Sequence, residues 1–186
     1  MATVLCVFTS YLPGVAAKSS PSTGDGLHEI TLTVPSELSE RSYLGLPSSG
    51  VFKVHEIEAE IVIIEIFSMY CPHCQREAPR VNRLYREIEG NPLLRGRIKL
   101  IGIGVGNSSY EVGIFKKKYD IPFPLFPDKD FSIHEILKEV RTPYFMGITI
   151  DNDGTCPVFY SKPGGIGDTD QFLKTIVRLS GLSRDK

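Results

Sequence analysis

Two cysteines separated by only two residues give this sequence its clearest capacity for chemistry. Cys71 and Cys74 enclose Pro72 and His73 and follow the apolar run 61–67, IVIIEIF. If the motif opens a helix, the unpaired backbone amides there stabilise a thiolate, which is the form of cysteine that attacks disulfides. Cys74 lies one helical turn later, so the pair can alternate between dithiol and disulfide through a mixed disulfide.

Metal binding is the non-enzymatic alternative for the same two cysteines. A structural zinc site usually has four ligands, and no second closely spaced pair of cysteines or histidines occurs in the sequence. The remaining candidate ligands are Cys156, His28, His55, His73 and His134. We therefore predict redox chemistry with no bound metal and no organic cofactor, and the alternative is a copper or zinc carrier that uses Cys71, Cys74 and a histidine.

A glutamate interrupts the apolar run shortly before the cysteines. Glu65 lies six residues before Cys71, and its neighbours in 61–67 are apolar on both faces of a predicted strand. A carboxyl group with little water nearby has a raised pKa and can exchange a proton near neutral pH. We therefore predict that Glu65 is buried near the cysteines. The alternative is that its side chain reaches a sheet edge and water.

Length and charge limit the classes of partner. The chain has 186 residues, 41% of them hydrophobic and 23% charged, and its formal net charge is −1. This composition suits one globular domain with a full core, and it provides no basic field for binding nucleic acid or acidic lipid. The run 116–118, three lysines, is the only local excess of charge and is predicted to be a solvated helix face.

The N-terminal residues differ in composition from the rest of the chain. Residues 2–12 are almost uncharged and mostly apolar, and residues 15–17 resemble a small-residue cleavage site. Residues 1–17 are therefore predicted to be a secretory signal that lacks a basic region, and an apolar strand-like tail is the alternative. A signal implies an extracytoplasmic location, periplasmic or secreted, and an uncleaved N-terminus would tether the protein to a membrane.

Apolar periodicity predicts how strands and helices alternate along the chain. Residues 18–50 are predicted to be a linker with an N-terminal strand extension, rich in turns over 36–50, and residues 51–182 to be the main domain. Besides the run 61–67, strands are predicted at 28–35, 51–57, 98–106, 123–128, 144–150 and 156–160. Helices are predicted after Cys71, after the capping-box pattern of Ser108 and Glu111, at 131–140 and at 168–179. From residue 61 onward, the order β-α-β-α-β-α-β-β-α predicts an α/β architecture with a mixed sheet.

Several motifs together resemble the exported thiol-disulfide oxidoreductases of the TlpA/ResA type, which have a thioredoxin fold. The segment EIFSMYCPHC is similar to the active-site approach of DsbA-type disulfide oxidases, and EVGIFKKKYDIPFPLFPDKD is similar to the inserted helix and strand of the TlpA/ResA type. Pro79 matches the helix proline of this fold, and RTPYF matches the threonine and cis-proline that face the active-site disulfide. The resemblance covers about residues 51–182 and implies a central mixed β-sheet flanked by helices, with an N-terminal β extension and an inserted βα element.

The resemblance also implies roles for the individual residues of the motif. Cys71 is expected to attack the substrate disulfide and Cys74 to resolve the mixed disulfide. Proteins of this fold keep an acid beneath the second cysteine, so Glu65 is expected to deprotonate Cys74, directly or through one water. Pro72 and His73 are expected to tune the redox potential of the pair, His73 by lying near the Cys71 thiolate and stabilising it. The alternative for His73 is a solvent-exposed helix residue without that role.

Substrate contacts and partners follow from the same resemblance. Thr142, Pro143 and Tyr70 are expected to contact the substrate, and the Thr142–Pro143 peptide bond is expected to be cis. The expected partners are protein thiols and disulfides and a membrane or soluble redox partner, with no nucleic acid; the oligomeric state is not predicted. Cys156 is expected to be a buried or half-buried spare thiol.

A thiol peroxidase is the enzymatic alternative. The inserted region also resembles peroxiredoxins, which reduce peroxides with a cysteine thiolate. Peroxiredoxins carry a proline and a threonine ahead of that cysteine, whereas Ile64 and Ser68 stand at those places in this sequence. The sequence therefore favours disulfide exchange over peroxide reduction.

Overall fold

A central β-sheet organises the computed structural model, which describes Leu27 and residues 30–182. The predicted signal, residues 1–17, and the linker residues 18–26 lie outside the described residues. The strands are β1 (Thr31–Thr33), β2 (Val51–Lys53), β3 (Ile61–Phe67), β4 (Ile98–Val105), β5 (Leu125–Asp128), β6 (Tyr144–Thr149) and β7 (Val158–Pro163). The helices are α1 (Leu38–Leu44), α2 (Pro72–Gly90), α3 (Ser109–Lys118), α4 (Ser132–Ile136) and α5 (Thr169–Ser180). None of the helices in the described ranges has the length and apolar composition that crossing a membrane requires.

Five of the strands form one mixed sheet in the order β5-β4-β3-β6-β7. Strand β4 runs parallel to both β3 and β5, whereas β6 is antiparallel to both β3 and β7. Strand β3 is therefore the central strand, and all seven of its residues are buried. The predicted α/β architecture with a mixed sheet and the predicted order of elements from residue 61 onward are confirmed.

Side chains alternate across β3 and fill two separate hydrophobic layers. Ile61, Ile63 and Phe67 pack in the layer that contains the buried faces of α2 and α5. Val62, Ile64 and Ile66 pack in the opposite layer. Burial of each such side chain stabilises the fold by roughly 1.5–3 kcal/mol. A register shift of one residue would exchange the two faces, so the alternation fixes Glu65 on the same side of the sheet as α2.

Helix α2 begins at the cysteine motif for local reasons. Cys71 is its N-cap residue, and Pro72 occupies the first helical position, where a missing amide hydrogen has no cost and the fixed φ angle suits a helix. The helix continues through Pro79 and ends at Gly90. Its buried residues are Cys74, Glu77, Ala78, Val81, Asn82, Leu84 and Ile88.

The N-terminal extension differs from the prediction. In the described part of the predicted strand 28–35, only β1 is a strand, and it pairs with β2 in a separate two-stranded antiparallel sheet. The strand predicted at 51–57 ends at Lys53 and continues as one turn of 3-10 helix, Val54–Glu56. The turn-rich segment 36–50 contains helix α1, which ends at Gly45 with a φ of 70°. Only Leu44 of this helix is buried, so the sequence offers no apolar stripe that would reveal it.

One predicted helix begins as expected, and another ends earlier than predicted. The capping box of Ser108 and Glu111 is present at the start of α3. The helix predicted at 131–140 is wrong beyond Ile136, because Lys138 and Glu139 have φ angles of 60° and 56°. A right-handed helix cannot continue through such residues, and the segment turns back toward β6 instead.

The lysine run is only partly the solvated face that was predicted. Lys117 and Lys118 are exposed. Lys116 is half-buried, donates a hydrogen bond to the carbonyl of Phe123 and forms an ion pair with Glu40 at 3.0 Å. This lysine therefore links α3 to the N-terminal extension.

Candidate active site

A tight loop carries the chain from β3 into helix α2 and sets the position of the first cysteine. The amide of Cys71 donates to the carbonyl of Ser68 at 3.0 Å, which closes the turn. The amide of Met69 donates to Oδ1 of Asn107 at 2.8 Å, and Nε2 of Gln75 donates to the carbonyl of Met69 at 2.7 Å. Asn107 is fully buried, and neither it nor Gln75 was singled out from the sequence. Their role becomes visible only when β4 and α2 are brought together.

Cys71 is the accessible thiol of the pair. Its Sγ is half-buried at the start of α2, lies 3.5 Å from the carbonyl oxygen of Thr142 and accepts the amide hydrogen bond of Cys74 at 3.4 Å. Burial alone would raise the pKa of Cys71. Hydrogen bonds from the side chains of Cys74 and Thr142 and from the amides of Cys74 and His73 outweigh burial and lower that pKa below its ordinary value. Cys71 therefore has the properties of an attacking thiolate.

Cys74 is the buried thiol of the pair, and its pKa is raised. It is fully buried beneath the first turn of α2, and burial raises the pKa of its thiol far above the ordinary value. The hydrogen bond to Cys71 and the charges of Cys71 and Glu65 raise that pKa further. All three described cysteines, Cys71, Cys74 and Cys156, are free thiols, so the structure represents the dithiol form. Cys74 needs a base before it can act as a nucleophile.

Glu65 lies on the same side of the sheet as the cysteines and is shielded from water. Only 2% of its surface is exposed, so the alternative in which its side chain reaches a sheet edge is wrong. Burial, together with the negative charges of Glu77 and Cys71, raises the pKa of Glu65 to about 8. Its Oε1 atom is buried without a hydrogen-bond partner in the described part of the chain. A carboxyl group in this state can exchange a proton near neutral pH.

A second buried carboxylate, Glu77, was missed from the sequence. It lies three residues after Cys74 on the inner face of α2 and is 5% exposed. Its Oε1 accepts the amide hydrogen bond of Ile166 at 2.8 Å, and its Oε2 forms an ion pair with Arg80 at 3.1 Å. A side chain at Gly165 would clash with this carboxylate, since a Cβ atom placed there would overlap Oε2. The available signal was the position of Glu77 one turn after Cys74 and directly before the buried Ala78.

The loop that faces Cys71 contains the expected cis-proline. The Thr142–Pro143 peptide bond is cis, as the resemblance to the TlpA/ResA type implies. Pro143 is buried, and its carbonyl accepts the amide hydrogen bond of Gly164 at 2.8 Å. Thr142 is half-buried next to Cys71. The structure therefore brings Thr142 and Pro143 to the cysteine pair.

The remaining candidate residues lie at the rim of the site. Pro72 and His73 are both exposed on the first turn of α2. The ring Nδ1 of His73 lies 2.9 Å from the guanidinium of Arg76, and in the described residues no hydrogen bond joins that ring to Cys71. Tyr70 is 65% exposed, and its hydroxyl donates a hydrogen bond to Glu111. His73 thus influences Cys71 through its backbone amide, and the ring stays available at the surface.

The metal alternative has little geometric support. Across Leu27 and residues 30–182, no group of three or more His, Cys, Asp and Glu side chains is arranged to hold a metal ion. Cys156 is fully buried in the distal hairpin, and burial raises the pKa of its thiol to about 11. The prediction that Cys156 is a buried or half-buried thiol is confirmed.

The fold and the sequence together identify the family. The model of the AhpC/TSA family matches residues 45–157, which include both cysteines and the cis-proline. The chain belongs to the AhpC/TSA family. The matched range begins just after helix α1 and ends before β7, so the family match covers the site and most of the central sheet.

Two curated proteins similar to this chain are thiol-disulfide oxidoreductases by name. The chain is 26% identical over 81 residues to thiol-disulfide oxidoreductase ResA of Halalkalibacterium halodurans, covering 44% of this chain and 43% of that protein. It is 23% identical over 136 residues to ResA of Oceanobacillus iheyensis, covering 72% of this chain and 60% of that protein. The chain thus spans roughly half the length of these curated relatives. These matches confirm the resemblance to the ResA type.

A solved structure shares the fold. A secreted disulfide oxidoreductase of Mycobacterium tuberculosis, described as homologous to DsbE of E. coli, superposes with a TM-score of 0.52 at 19% identity, covering 73% of this chain and 91% of that one. The expected thioredoxin fold, a mixed sheet flanked by helices, is confirmed.

Proposed function

We propose that this protein is a thiol-disulfide oxidoreductase that exchanges disulfides with protein substrates through Cys71 and Cys74. The observation that carries the proposal is the contrast between the two thiols. Cys71 is accessible and has a lowered pKa, whereas Cys74 is fully buried and has a raised pKa. This contrast is what a mechanism with one attacking and one resolving cysteine requires.

The exchange proceeds in two balanced steps. The Cys71 thiolate attacks one sulfur of a substrate disulfide; the new Cys71–substrate S–S bond forms, the substrate S–S bond breaks, and the released substrate thiolate takes up a proton. Cys74, after losing its proton, then attacks Sγ of Cys71 and releases the second substrate thiolate. Two electrons pass from the protein dithiol to the substrate disulfide, and the reverse sequence oxidises a substrate dithiol.

Glu65 is the proposed base for the second step. Cys74 cannot reach water directly, and Glu65 is the buried carboxylate whose charge acts on its thiol. A pKa of about 8 leaves Glu65 partly ionised at neutral pH, so it can accept the Cys74 proton directly or through one water. The orphaned Oε1 atom supports this role because it has a lone pair to offer.

Substrate binding is proposed for the surface around the accessible sulfur. Thr142 and Pro143 lie beside Cys71, and Tyr70 presents an exposed aromatic face on the neighbouring loop. An extended substrate chain that crosses Thr142 would bring its own cysteine to Sγ of Cys71. Pro72 and His73 flank the same sulfur and are the proposed tuning residues for its potential.

An extracytoplasmic location, with a membrane or soluble redox partner, completes the proposal. The signal-like composition of residues 1–17 supports it, as does the M. tuberculosis structure, whose protein is described as secreted. The direction of exchange is set by the reduction potential of the pair. The reduction potentials of thiol-disulfide proteins range from about −270 mV for thioredoxin to about −120 mV for DsbA. Equilibration of the Cys71–Cys74 pair against glutathione would therefore assign this protein to a reductase or an oxidase role.

Cysteine variants test the proposed function. Cys71→Ser is expected to abolish reduction of a model protein disulfide. Cys74→Ser is expected to retain attack and to accumulate mixed disulfides that mass spectrometry detects. Cys156→Ser is the matched control and is expected to behave as wild type, because that thiol is buried in the distal hairpin. Unimpaired turnover by Cys74→Ser would show that the proposed division of labour is wrong.

Peroxide reduction is the second candidate because the AhpC/TSA family match supports it. A cysteine peroxidase would consume hydrogen peroxide through the Cys71 thiolate, which becomes a sulfenic acid and condenses with Cys74 to a disulfide and water. Peroxide consumption by the reduced protein, compared with its rate of protein-disulfide reduction, discriminates between the two functions. The proposed function is upheld if disulfide reduction is the faster reaction.

A further inference from the structure

A groove beside the cis peptide bond carries a net positive charge. Its volume is about 680 Å³, and it lies between the first turns of α2 and the loops that hold Pro143 and Gly164. Three arginines line it: Arg76, Arg80 and Arg141. All three are exposed at the surface of the protein.

The charges of the groove are only partly compensated. Glu77 is the one acidic residue of its lining, and that carboxylate already binds Arg80 and the amide of Ile166. Within the described residues, neither Arg76 nor Arg141 forms an ion pair with a carboxylate. Arg76 instead contacts the ring of His73 at 2.9 Å. Two guanidinium groups therefore face the groove with unused capacity for an anion.

The surface on the other side of Thr142 is lined by aromatic and acidic side chains as well as by Arg141. A second depression of about 610 Å³ lies there and shares Thr142 and Arg141 with the groove. Its distinctive lining residues are the aromatic Tyr70 and Phe131 and the acidic Glu139. A substrate that crosses Thr142 would thus meet a basic surface on one side of its cysteine and an aromatic surface with an acid on the other.

We propose that the groove binds an acidic segment of the substrate protein, with carboxylates held by Arg76 and Arg141 while the substrate cysteine lies at Cys71. Arginine suits this task because its planar guanidinium binds a carboxylate through two parallel hydrogen bonds. The inference rests on the proposed disulfide exchange and adds a substrate class to it. A general attraction for acidic partners is not the cause, since the formal net charge of the chain is −1.

Synthetic peptides of matched sequence test the proposal with the full-length reduced protein. Each peptide is a disulfide-linked homodimer with one cysteine per strand, in which Glu, Gln or Lys stands two residues before or two residues after the cysteine. The measured quantity is the second-order rate constant for reduction of the peptide disulfide. For one of the two placements, we expect Glu to react at least ~5-fold faster than Gln at low ionic strength, with Lys slowest, and the advantage to shrink as salt screens the charges.

Substitutions in the groove should remove or invert this preference. Arg76→Gln with Arg141→Gln is expected to bring the Glu-to-Gln rate ratio to about one, and Arg76→Glu with Arg141→Glu to favour the Lys peptide. Arg86→Gln is the matched control: it removes the same charge from an exposed position of the same helix, about 15 Å further along its axis, and should keep the wild-type ratio. Should a double variant fail to fold, Arg141→Glu alone gives the same readout.

The outcomes separate this inference from the proposed function. Absence of reduction of all three peptides would overturn the proposed exchange itself. Equal rates for the Glu, Gln and Lys peptides at both placements would overturn only the acidic-segment proposal. An advantage of Glu that is equal at both placements, or that Arg86→Gln reduces as much as the groove variants do, would also overturn it, because that pattern indicates long-range attraction without a site.

Discussion

The carboxylate of Glu77 accepts a hydrogen bond from the backbone amide of Ile166 at 2.8 Å, across 89 residues of sequence. This bond joins the helix that begins at the cysteine pair to the loop that follows β7. The same loop donates from the amide of Gly164 to the carbonyl of Pro143, so Glu77 holds the loop that in turn binds the cis-proline segment. Glu77 is therefore a positioning residue for the wall of the site that faces Cys71.

Removal of this acceptor should destabilise the fold. Glu77→Ala leaves the buried amide of Ile166 without a partner, which costs about 1–3 kcal/mol of unfolding free energy. Glu77→Gln keeps an amide oxygen as acceptor and should recover most of that loss. Glu87→Ala is the control, since Glu87 pairs with the exposed Arg83 in the same helix and contributes about 0.2–1 kcal/mol at most. Urea denaturation measures all three, and a loss for Glu77→Ala no larger than for Glu87→Ala would contradict this account.

The lowered pKa of Cys71 should be visible in its alkylation kinetics. The rate of iodoacetamide reaction with the reduced protein, measured against pH, is expected to have a midpoint below that of a free thiol, because hydrogen bonds stabilise the thiolate. Cys74→Ala removes the thiol hydrogen bond to Cys71 and should move the midpoint upward. Cys74→Ser keeps a hydroxyl donor and should move it less. Equal midpoints for the two variants would show that the Cys74 side chain does not stabilise the thiolate.

Much of the site was accessible from the sequence because its signals are local. The CxxC spacing, the continuous apolar run of β3 and the early proline of α2 each determine structure within a few residues. Glu65 was identified because a carboxylate in a strand that is apolar on both faces has no exposed face to occupy, and it is 2% exposed. The fold from residue 61 onward followed from the same kind of periodicity.

The parts that were missed depend on distant contacts. In the sequence, Glu77 looks like an ordinary polar helix residue, because its contact with the amide of Ile166 depends on the tertiary structure. Asn107, in the loop that follows β4, holds the loop before Cys71 although it is 38 positions away from Met69. Helix α1 buries one residue, so periodicity could not reveal it. The segment after Ile136 has favourable helix composition, yet the left-handed angles of Lys138 and Glu139 end the helix there.

The buried carboxyl of Glu65 should make stability depend on pH. Its pKa is about 8 in the folded protein and near 4.5 when exposed, so between these values the folded state binds more protons than the unfolded state. The free energy of unfolding therefore falls as pH rises through this window, by at most about 1.4 kcal/mol per pH unit. Glu65→Gln removes this term, and its stability advantage over wild type should grow from pH 5 to pH 8. Urea denaturation of both proteins across that range provides the test. An advantage that is constant with pH would show that Glu65 does not carry the raised pKa.

The role of Glu65 in resolution has a kinetic signature of its own. When a mixed disulfide is preformed between Cys71 and a chromophoric thiol, release of that thiol reports attack by Cys74 alone. Glu65→Gln should slow the release by roughly ten-fold or more, a modest value for loss of a general base, while the attack of Cys71 on the chromophoric disulfide stays nearly unchanged. Glu87→Gln is the control, since it neutralises a carboxylate of the same chain that is partly exposed and paired with Arg83.

The ratio of the wild-type release rate to the Glu65→Gln release rate, measured against pH, distinguishes a general base from a structural role. Cys74 can lose its proton to the Glu65 carboxylate in the wild type, and to hydroxide in both proteins. Below the pKa of Glu65, the ionised carboxylate and hydroxide both decrease in the same proportion as pH falls. The ratio of the wild-type release rate to the Glu65→Gln release rate should therefore be large and constant there. Above that pKa the carboxylate is fully ionised while hydroxide keeps increasing, so the ratio should narrow. The change is expected at or somewhat below pH 8, because the Cys71 thiolate, one of the charges that raises this pKa, is absent in the mixed disulfide. Stopped-flow profiles that are identical for the two proteins at every pH would remove Glu65 from the mechanism, and a ratio that never narrows would indicate that Glu65 acts only by shaping the site.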